Sequence, residues 1–180
     1  MTQPPKPTPP ERPARHGPPV EVAQEVFDVQ GQETARLLAR VVGTNALESG
    51  GRDEVPWVRV ERERLPHVAE RCRDDQSLRM DMLHLLLAVD YVEHLEVVYI
   101  LLSTQTLRKA MLKARVPAND AQVPTATHLW EAAHWYEREV HDLFGVTFTG
   151  NPDLSPLLLY EGFEGHPGLK SFPFHDHDEF

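Results

Sequence analysis

The chain of 180 residues is long enough for one domain with a sizeable core and a tail, and 41% of its residues are hydrophobic. Its formal net charge of −10 argues against a nucleic-acid surface, because duplex binding needs clustered cations and the 18 lysines and arginines are scattered among 28 acids. One cysteine, Cys72, excludes a disulfide framework, a zinc knuckle and a four-cysteine iron–sulfur site, and no apolar run approaches the roughly 20 residues that cross a bilayer.

The chain divides by composition into three parts. Residues 1–19 hold half of the 16 prolines and almost nothing that could be buried, which predicts a disordered, partly polyproline extension. A proline-rich ligand for a partner groove is the alternative to a plain linker. We expect one domain over residues 20–149 and an extended tail over residues 150–180.

The first third of the domain is predicted to contain a helix and a strand. Apolar residues at helical spacing indicate a helix over 32–42 that ends at Gly43. The polar run 49–51 predicts a loop, and the alternation over 55–60 around Trp57 predicts a strand.

A short second helix is predicted over 65–73. Pro66 suits its first turn, where the missing N–H is not needed. Leu65, Val68 and Cys72 would point inward, so Cys72 is interpreted as a core residue and not as a reactive thiol.

Two further strands are predicted to build a sheet. Residues 78–89 fit either a buried strand or a buried helix, whereas 96–103 are strand formers bounded by polar residues. Residues 107–116 alternate as a strand with one wet side. The apolar side of that strand is formed by Ala110, Leu112, Ala114 and Val116.

The stretch 130–154 is the densest run of aromatic, charged and turn-forming residues, and its spacing predicts a helix that ends before Gly145. Residues 146–148 then form a short extended segment, and Gly150, Asn151 and Pro152 supply a turn. The apolar helix face is formed by Trp130, Ala133, Tyr136, Val140 and Phe144, and Glu137, Arg138, His141 and Asp142 lie off it.

The tail beyond Phe148 is predicted to be extended and to lie along this domain or a neighbour. Its leucines and phenylalanines are too apolar for a free tail. A long helix is excluded by Pro152, Pro156, Pro167 and Pro173.

Motifs for catalysis or for cofactors are weak. There is no P-loop, and Gly162, Gly165 and Gly168 have the wrong spacing for a dinucleotide fingerprint. Acid/base chemistry by Glu137, Glu139 and Asp142 competes with the simpler interpretation of exposed helical carboxylates.

A metal site can also be weighed against a solvated helix face. The solvated face would pair Glu137 with His141 and Arg138 with Asp142 at i, i+4, and we favour it over a metal site. The candidate metal ligands are His134, Glu137 and His141 on the helix, with His175, Asp176, His177 and Asp178 at the end of the chain.

The string EREVHDLFGVTFTGNPDL, from Glu137 onward, resembles the signature of the C subunit of the proton-pumping NADH:quinone oxidoreductase, respiratory complex I. Similar strings occur at 89–91, 96–103 and 123–130, and the similarity spans residues 57–173. The residues that match the signature are Trp135, Glu137, Arg138, Glu139, Asp142, Leu143, Phe144, Gly145, Phe148, Gly150, Pro152, Asp153 and Leu154.

The resemblance implies an α+β fold with helices packed on a mixed β-sheet, an extended C-terminal segment, and a strand within 78–89. It implies no catalytic residue, metal or cofactor on this chain. NADH, FMN, iron–sulfur clusters and quinone would be bound by partner subunits, among them the D-type and B-type subunits that frame the quinone site. The chain would be peripheral, on the cytoplasmic face of the inner (plasma) membrane.

The same resemblance implies that the helix over 130–144 and the tail form a partner interface. A hydrogen-bonded network of Glu137, Arg138, Glu139 and Asp142 would order it. The interface residues implied by the family motif are Trp135, Glu137, Arg138, Glu139, Asp142, Phe144, Gly145, Pro152, Asp153 and Leu154.

Three departures from the family pattern leave alternatives open. Asn151 stands where the family usually has His, Ser155 and Pro156 stand where it usually has basic residues, and 168–171 replace a Leu-Arg-Lys-Asp run. These changes are compatible with an altered partner or with the equivalent subunit of a membrane-bound energy-converting nickel-iron hydrogenase. The histidines alone would suit a free-standing metal-binding or adaptor protein.

Overall fold

The computed structural model describes residues 27–173, which form three α-helices and seven strands. The predictions for residues 1–19 and for the histidines and aspartates at 175–178 lie outside these residues. The helices are α1 (Val29–Val42), α2 (Leu65–Asp74) and α3 (Ala133–Phe144). The strands are β1 (Glu48–Arg52), β2 (Val55–Arg59), β3 (Met82–Asp90), β4 (His94–Leu102), β5 (Lys109–Pro117), β6 (Gln122–Pro124) and β7 (Thr147–Thr149).

The main sheet has five strands in the order β1-β2-β5-β4-β3. All of its neighbouring strands are antiparallel except β2 and β5, so the sheet is mixed. Strands β6 and β7 precede and follow α3 in the sequence. They pair in parallel as a separate two-stranded sheet. This α+β arrangement of helices on a mixed sheet confirms the predicted fold class.

The core lies between the helices and one face of the main sheet. Leu86, Tyr99, Leu112 and Val58 are neighbours in register across four strands, and none is more than 2% exposed. They belong to one buried cluster with residues from all three helices. Burial of each such side chain contributes about 1.5–3 kcal/mol, so this packing is the main source of stability.

Most predicted elements are confirmed. The predicted inward residues of α2 are buried, and burial raises the pKa of the Cys72 thiol to about 12, as suits a core position. The apolar side of β5 is fully buried, and the ambiguous run 78–89 proves to be β3 from Met82 onward.

Two local predictions are wrong or incomplete. Residues 49–51 belong to strand β1 and not to a loop, because they pair in register with β2 in a hairpin whose turn is at residues 53–54. Helix α1 begins three residues earlier than predicted, since the Asp28 carboxylate accepts the Gly31 N–H at 2.6 Å and caps it.

The tail follows the domain without regular structure. Within the described part, residues 150–173 contain no helix or strand, and backbone hydrogen bonds fix them to the domain, two of them near the end of this range. The Gly168 N–H donates to the Leu143 carbonyl at 2.8 Å, and the Lys170 N–H donates to the Asp90 carboxylate at 2.7 Å. None of the helices in residues 27–173 is long and apolar enough to cross a membrane.

Gly31→Ala tests how α1 docks on the β1–β2 turn. A Cβ at Gly31 would lie 2.0 Å from the Asp53 carbonyl oxygen, so the helix must shift. We expect the free energy of unfolding to fall by about 1–3 kcal/mol, whereas an ordinary helical Gly→Ala change raises it by about 0.5–1 kcal/mol. Urea denaturation measures the difference. Gln32→Ala at the exposed neighbouring position is the control, and a stabilised Gly31→Ala variant would contradict the packing.

Candidate functional site

Helix α3 and the tail that runs beside it form the candidate site. The helix ends at Gly145, whose left-handed φ of 74° lets its N–H donate to the His141 carbonyl at 2.9 Å. A Cβ at Gly145 would lie 2.7 Å from the His166 ring. Only glycine therefore allows both the helix end and the close approach of the tail.

Glu137 is fully buried on α3 and joins three parts of the chain. Its Oε1 accepts the Ala126 N–H at 2.7 Å, and its Oε2 accepts the Thr125 hydroxyl at 2.7 Å and the Asn151 amide at 2.9 Å. The carboxylate thus fixes the helix to the segment after β6 and to the turn after β7.

This position corrects the prediction that Glu137 lies on a solvated helix face and pairs with His141. Its three partners are donors outside the helix, 11 to 14 residues away in the sequence. Burial outweighs these hydrogen bonds and raises the pKa of Glu137. Burial, helped by the nearby Glu137 charge, also raises the pKa of Tyr99 well above its ordinary value.

Asp142 holds the tail through main-chain groups. Its Oδ2 accepts the N–H groups of Leu157, Leu158 and Leu159 at 3.2, 2.8 and 2.9 Å. Burial acts to raise the pKa of Asp142, but the three backbone N–H groups together outweigh it and lower the pKa.

Arg138 holds the preceding part of the tail. Its guanidinium donates to the Ser155 carbonyl at 3.0 Å, to the Ser155 hydroxyl at 3.1 Å and to the Pro156 carbonyl at 3.0 Å, and it lies 3.8 Å from the Asp153 carboxylate. The predicted pairing of Arg138 with Asp142 is therefore replaced by two separate contacts with the tail.

Trp135 projects from the outer side of α3 with 60% of its surface exposed. The Arg138 guanidinium carbon lies 5.3 Å from the centre of its ring. An open depression of about 630 Å³ lies beside it, lined by Glu131, Ala132, His134, Trp135, Arg138 and Asp153. The tail adds two apolar side chains, Leu158 and Tyr160, which are 60% and 71% exposed.

We call this region the α3–tail surface. It is formed by the exposed Trp135, Asp153, Leu158 and Tyr160 and by the mostly buried Arg138. The other motif residues surround it. Pro152 is exposed, Glu139 is partly exposed, and Phe144 and Leu154 pack against the core.

The helical histidines do not form a ligand cluster with Glu137. The Glu137 carboxylate has three donors, and the His141 Nδ1 lies 2.9 Å from the Val146 carbonyl. Among residues 27–173, no group of three or more His, Cys, Asp or Glu side chains could hold a metal ion. Glu137 and Asp142, considered above for acid/base chemistry, both accept structural hydrogen bonds.

Three residues of the site were not predicted from the sequence in the roles they have. Asn151 was noted as a departure from the family pattern, but not as a partner of Glu137. His166 lies 3.0 Å from the Asp142 carbonyl through its Nδ1. Asp90 accepts the Val92 N–H at 2.6 Å and the Lys170 N–H from the tail. An Asp shortly before a turn was the only signal for Asp90.

Comparisons with known proteins identify one family. The family model of the respiratory-chain NADH dehydrogenase 30 kDa subunit matches residues 58–178. The C subunit of the NADH-quinone oxidoreductase of Roseiflexus castenholzii (strain DSM 13941 / HLO8) is 43% identical over 119 residues, which are 64% of this chain and 68% of that protein.

Two solved structures share the fold. The trypsin-resistant fragment (1-134) of Nqo5 is 29% identical with a TM-score of 0.58, over 69% of this chain and 99% of the fragment. A chain of the membrane-bound sulfane sulfur reductase, an archaeal respiratory membrane complex, is 25% identical with a TM-score of 0.66, over 83% of this chain and 98% of that one.

Glu137→Gln tests the cost of the buried charge. Because the folded-state pKa of Glu137 is raised, its contribution to stability is full below the ordinary value of 4.5 and is lost as pH rises through the folded value. Relative to the variant, the wild type should therefore become less stable as pH rises from below 4.5. Denaturant unfolding across this range measures the difference, and Glu139→Gln is the control. A wild type that gains stability relative to Glu137→Gln as pH rises would contradict the burial argument.

Asp142→Asn tests a pH dependence of stability opposite to that of Glu137. The folded-state pKa of Asp142 is lowered, so its contribution is present above the ordinary value of 3.8 and is lost as pH falls through the folded value. We expect the variant to lose about 1.5–3 kcal/mol of unfolding free energy near neutral pH, because a charged acceptor becomes neutral. The loss should shrink below pH 3.8. The exposed Glu164→Gln is the control, and a loss that does not change with pH would refute the assignment.

Proposed function

Because the chain belongs to the family of the respiratory-chain NADH dehydrogenase 30 kDa subunit, we propose that it is a structural subunit in the peripheral arm of a proton-translocating NADH:quinone oxidoreductase. The chain carries no catalytic residue in this proposal. It supports electron transfer from NADH to quinone by clamping the D-type and B-type subunits that frame the quinone site. Those partners and others bind NADH, FMN, the iron–sulfur clusters and quinone, on the cytoplasmic face of the membrane.

The α3–tail surface is the observation that supports a clamp. Trp135 is 60% exposed and is backed by the Arg138 guanidinium, so its ring is held in place before any partner arrives. Tryptophan and arginine dominate the energy of protein interfaces, because a large flat ring is desolvated at little cost in conformational entropy.

The anchored tail extends the same argument. Asp142 fixes the backbone of 157–159, and yet Leu158 and Tyr160 remain more than half exposed. Exposed apolar groups on an ordered segment are typical of a surface that another protein covers. The buried charges of Glu137 and Asp142 then have a positioning role, since they set the direction of the helix and of the tail.

A second candidate function is favoured by the likeness to the sulfane sulfur reductase chain. That likeness supports a module used by more than one respiratory membrane complex. The second candidate that we propose is therefore the equivalent subunit of another membrane complex, and an energy-converting nickel-iron hydrogenase is the one that the sequence left open. Asn151, Ser155 and Pro156, which replace residues that are usually His or basic in the family, would suit an altered partner. The large partner subunit, with or without nickel-binding cysteines, separates the two functions.

Affinity purification of the full chain from solubilised membranes, with the tag at the N-terminus, tests the proposal. Mass spectrometry and an NADH:quinone activity assay follow. Co-purification of a D-type subunit, iron–sulfur subunits and NADH-dependent quinone reduction supports the NADH dehydrogenase role. A nickel-containing partner without NADH activity supports the second candidate, and a lone protein overturns both.

Trp135→Ala tests the α3–tail surface in the same purification. Loss of a buried interface tryptophan costs about 2 kcal/mol or more, which is about a 30-fold loss of affinity. We therefore expect a strong decrease in co-purified subunits with unchanged thermal stability, because the ring is exposed in the isolated chain. Leu47→Ala, at a position that is 55% exposed on another part of the surface, is the control.

Arg138→Ala provides a second variant on this surface. It removes the guanidinium that holds residues 155–156. Like Trp135→Ala, this single variant should lower the amount of co-purified subunits. Normal assembly of both variants would contradict the α3–tail surface as the partner contact.

A further inference from the structure

The outer side of β1 is an edge of the main sheet, and we call it the β1 edge. Strand β1 is the first in the sheet order and pairs with β2 alone. Among residues 27–173, no backbone hydrogen bond outside that pairing involves residues 48–52. Main-chain groups of alternate residues point to the same side of a strand, so part of those of β1 point outward. Such an edge is a template for a further strand.

Two glycines at the centre of β1 indicate that another segment comes close to this edge. A glycine inside a strand is typical of a site where another backbone approaches. Gly50 is buried, although β1 is the outermost strand of the main sheet in the described part of the chain. A Cβ at Gly51 would lie 2.5 Å from the Phe27 ring. At Gly51, the group that comes close is thus the first residue that the structure describes.

The start of the described chain fixes a direction and a register on the β1 edge. Phe27 forms a parallel bridge with Asp53, and the Asp28 N–H donates to the Asp53 carbonyl at 3.1 Å. Because the bridge is parallel, a straight continuation of the chain before Phe27 runs along β1 toward Glu48.

The seven residues before Phe27 have the sequence of a strand. They read VEVAQEV over residues 20–26, contain no glycine or proline, and directly follow two prolines. The valines at 20, 22 and 26 share one side under the two-residue alternation of a strand. The segment is also longer than the five residues of β1, so it can span the whole edge.

A cavity lies where this continuation passes. It has a volume of about 210 Å³ and opens between α1 and the strands β1 and β2. With residue 27 beside residue 53, Ala23 comes beside Ser49. Ser49 lines the cavity and is paired with Val58, which belongs to the buried row under the helices. A small apolar side chain suits this place next to Leu38 of α1.

We propose that residues 20–26 bind the β1 edge as a sixth, parallel strand of the main sheet. Ala23 then faces the cavity beside α1, and Val22 and Val26 lie on the other side of the sheet. This inference goes beyond the proposed function and does not rest on it, because the edge and the segment belong to one chain.

The connection at Phe27 selects this occupant over a strand from another chain. Residues 20–26 are joined to the edge without a linker, so their binding costs no translational freedom, whereas a second molecule loses that freedom on binding. Phe27 and Asp28 also occupy the Asp53 end of the edge already. A strand from elsewhere would have to share the edge with them.

The sixth strand gives the proline-rich residues 1–19 a defined place of exit. Helix α3 packs against β3, at the other end of the strand order. The sixth strand and β3 are separated by five strand spacings, about 24 Å in total. Residues 1–19 therefore leave the domain at the edge opposite α3, away from the α3–tail surface.

A disulfide between Ala23→Cys and Ser49→Cys in the full chain tests the register. Cα atoms of residues side by side on neighbouring strands lie about 4.8 Å apart, within the roughly 4.4–6.8 Å that a disulfide needs. The native Cys72 does not compete, because it is buried and its pKa is raised to about 12. Gln24→Cys with Ser49→Cys is the matched control, since residue 24 points to the other side. Under mild oxidation, we expect the 23–49 bond to form at least about 10-fold faster than the 24–49 bond.

Ala23→Pro provides an independent measurement by hydrogen exchange. Ser49 and Gly51 alternate with Asp53, so their N–H groups point to the β1 edge. Proline at 23 removes a donor of the sixth strand and disturbs its pairing. We expect exchange at Ser49 and Gly51 to accelerate at least about 10-fold. Ala14→Pro, the same change in the proline-rich segment, is the control and should leave both rates unchanged.

Each other outcome overturns the proposal. Equal rates for the two disulfides indicate a segment without a fixed register, and disulfides between two chains indicate a second copy on the edge. Unchanged exchange in Ala23→Pro excludes pairing by this segment. Protection of Ser49 and Gly51 only within the purified complex assigns the edge to a partner's strand. The disulfide and proline experiments use the isolated chain, so failure of the proposed function leaves their results intact.

Discussion

The buried carboxylate of Glu137 is the interaction on which the rest of the site depends. It accepts hydrogen bonds from the segments before and after α3, so the helix has one position relative to both. Arg138, the next residue, and Asp142, on a later turn, then meet the tail at 155–159, and Trp135 is left outside. A charge that is costly to bury thereby specifies the geometry of the α3–tail surface.

The sequence was sufficient for the core and for the family. Periodicity located the inward side of α2 and of β5, and a contiguous motif indicated the family to which the chain belongs. Prediction from the sequence failed where the hydrogen-bond partners of a residue are distant in the chain or are backbone groups. Residues 49–51 form a strand only because β2 pairs with them, and the donors to Glu137 lie 11 to 14 residues away. Helical spacing alone therefore placed Glu137 on the wrong side of α3.

The two sides of the main sheet differ in burial and in composition. One side packs against the helices and supplies the stability of the domain, with a continuous buried row that includes Tyr99 and Leu112. The other side combines partly exposed apolar residues with cations, although the chain as a whole is acidic. Substitutions on this second side need not disturb the packing under the helices.

The contact between Asp142 and the tail has a consequence for sequence divergence. Asp142 accepts main-chain N–H groups of three consecutive residues and touches none of their side chains through hydrogen bonds. Exchange of the leucines at 157–159 for other residues with a backbone N–H therefore leaves the three donors of the anchor in place. Proline is the exception, since it has no N–H to donate, and it stands here at position 156, immediately before the three donors.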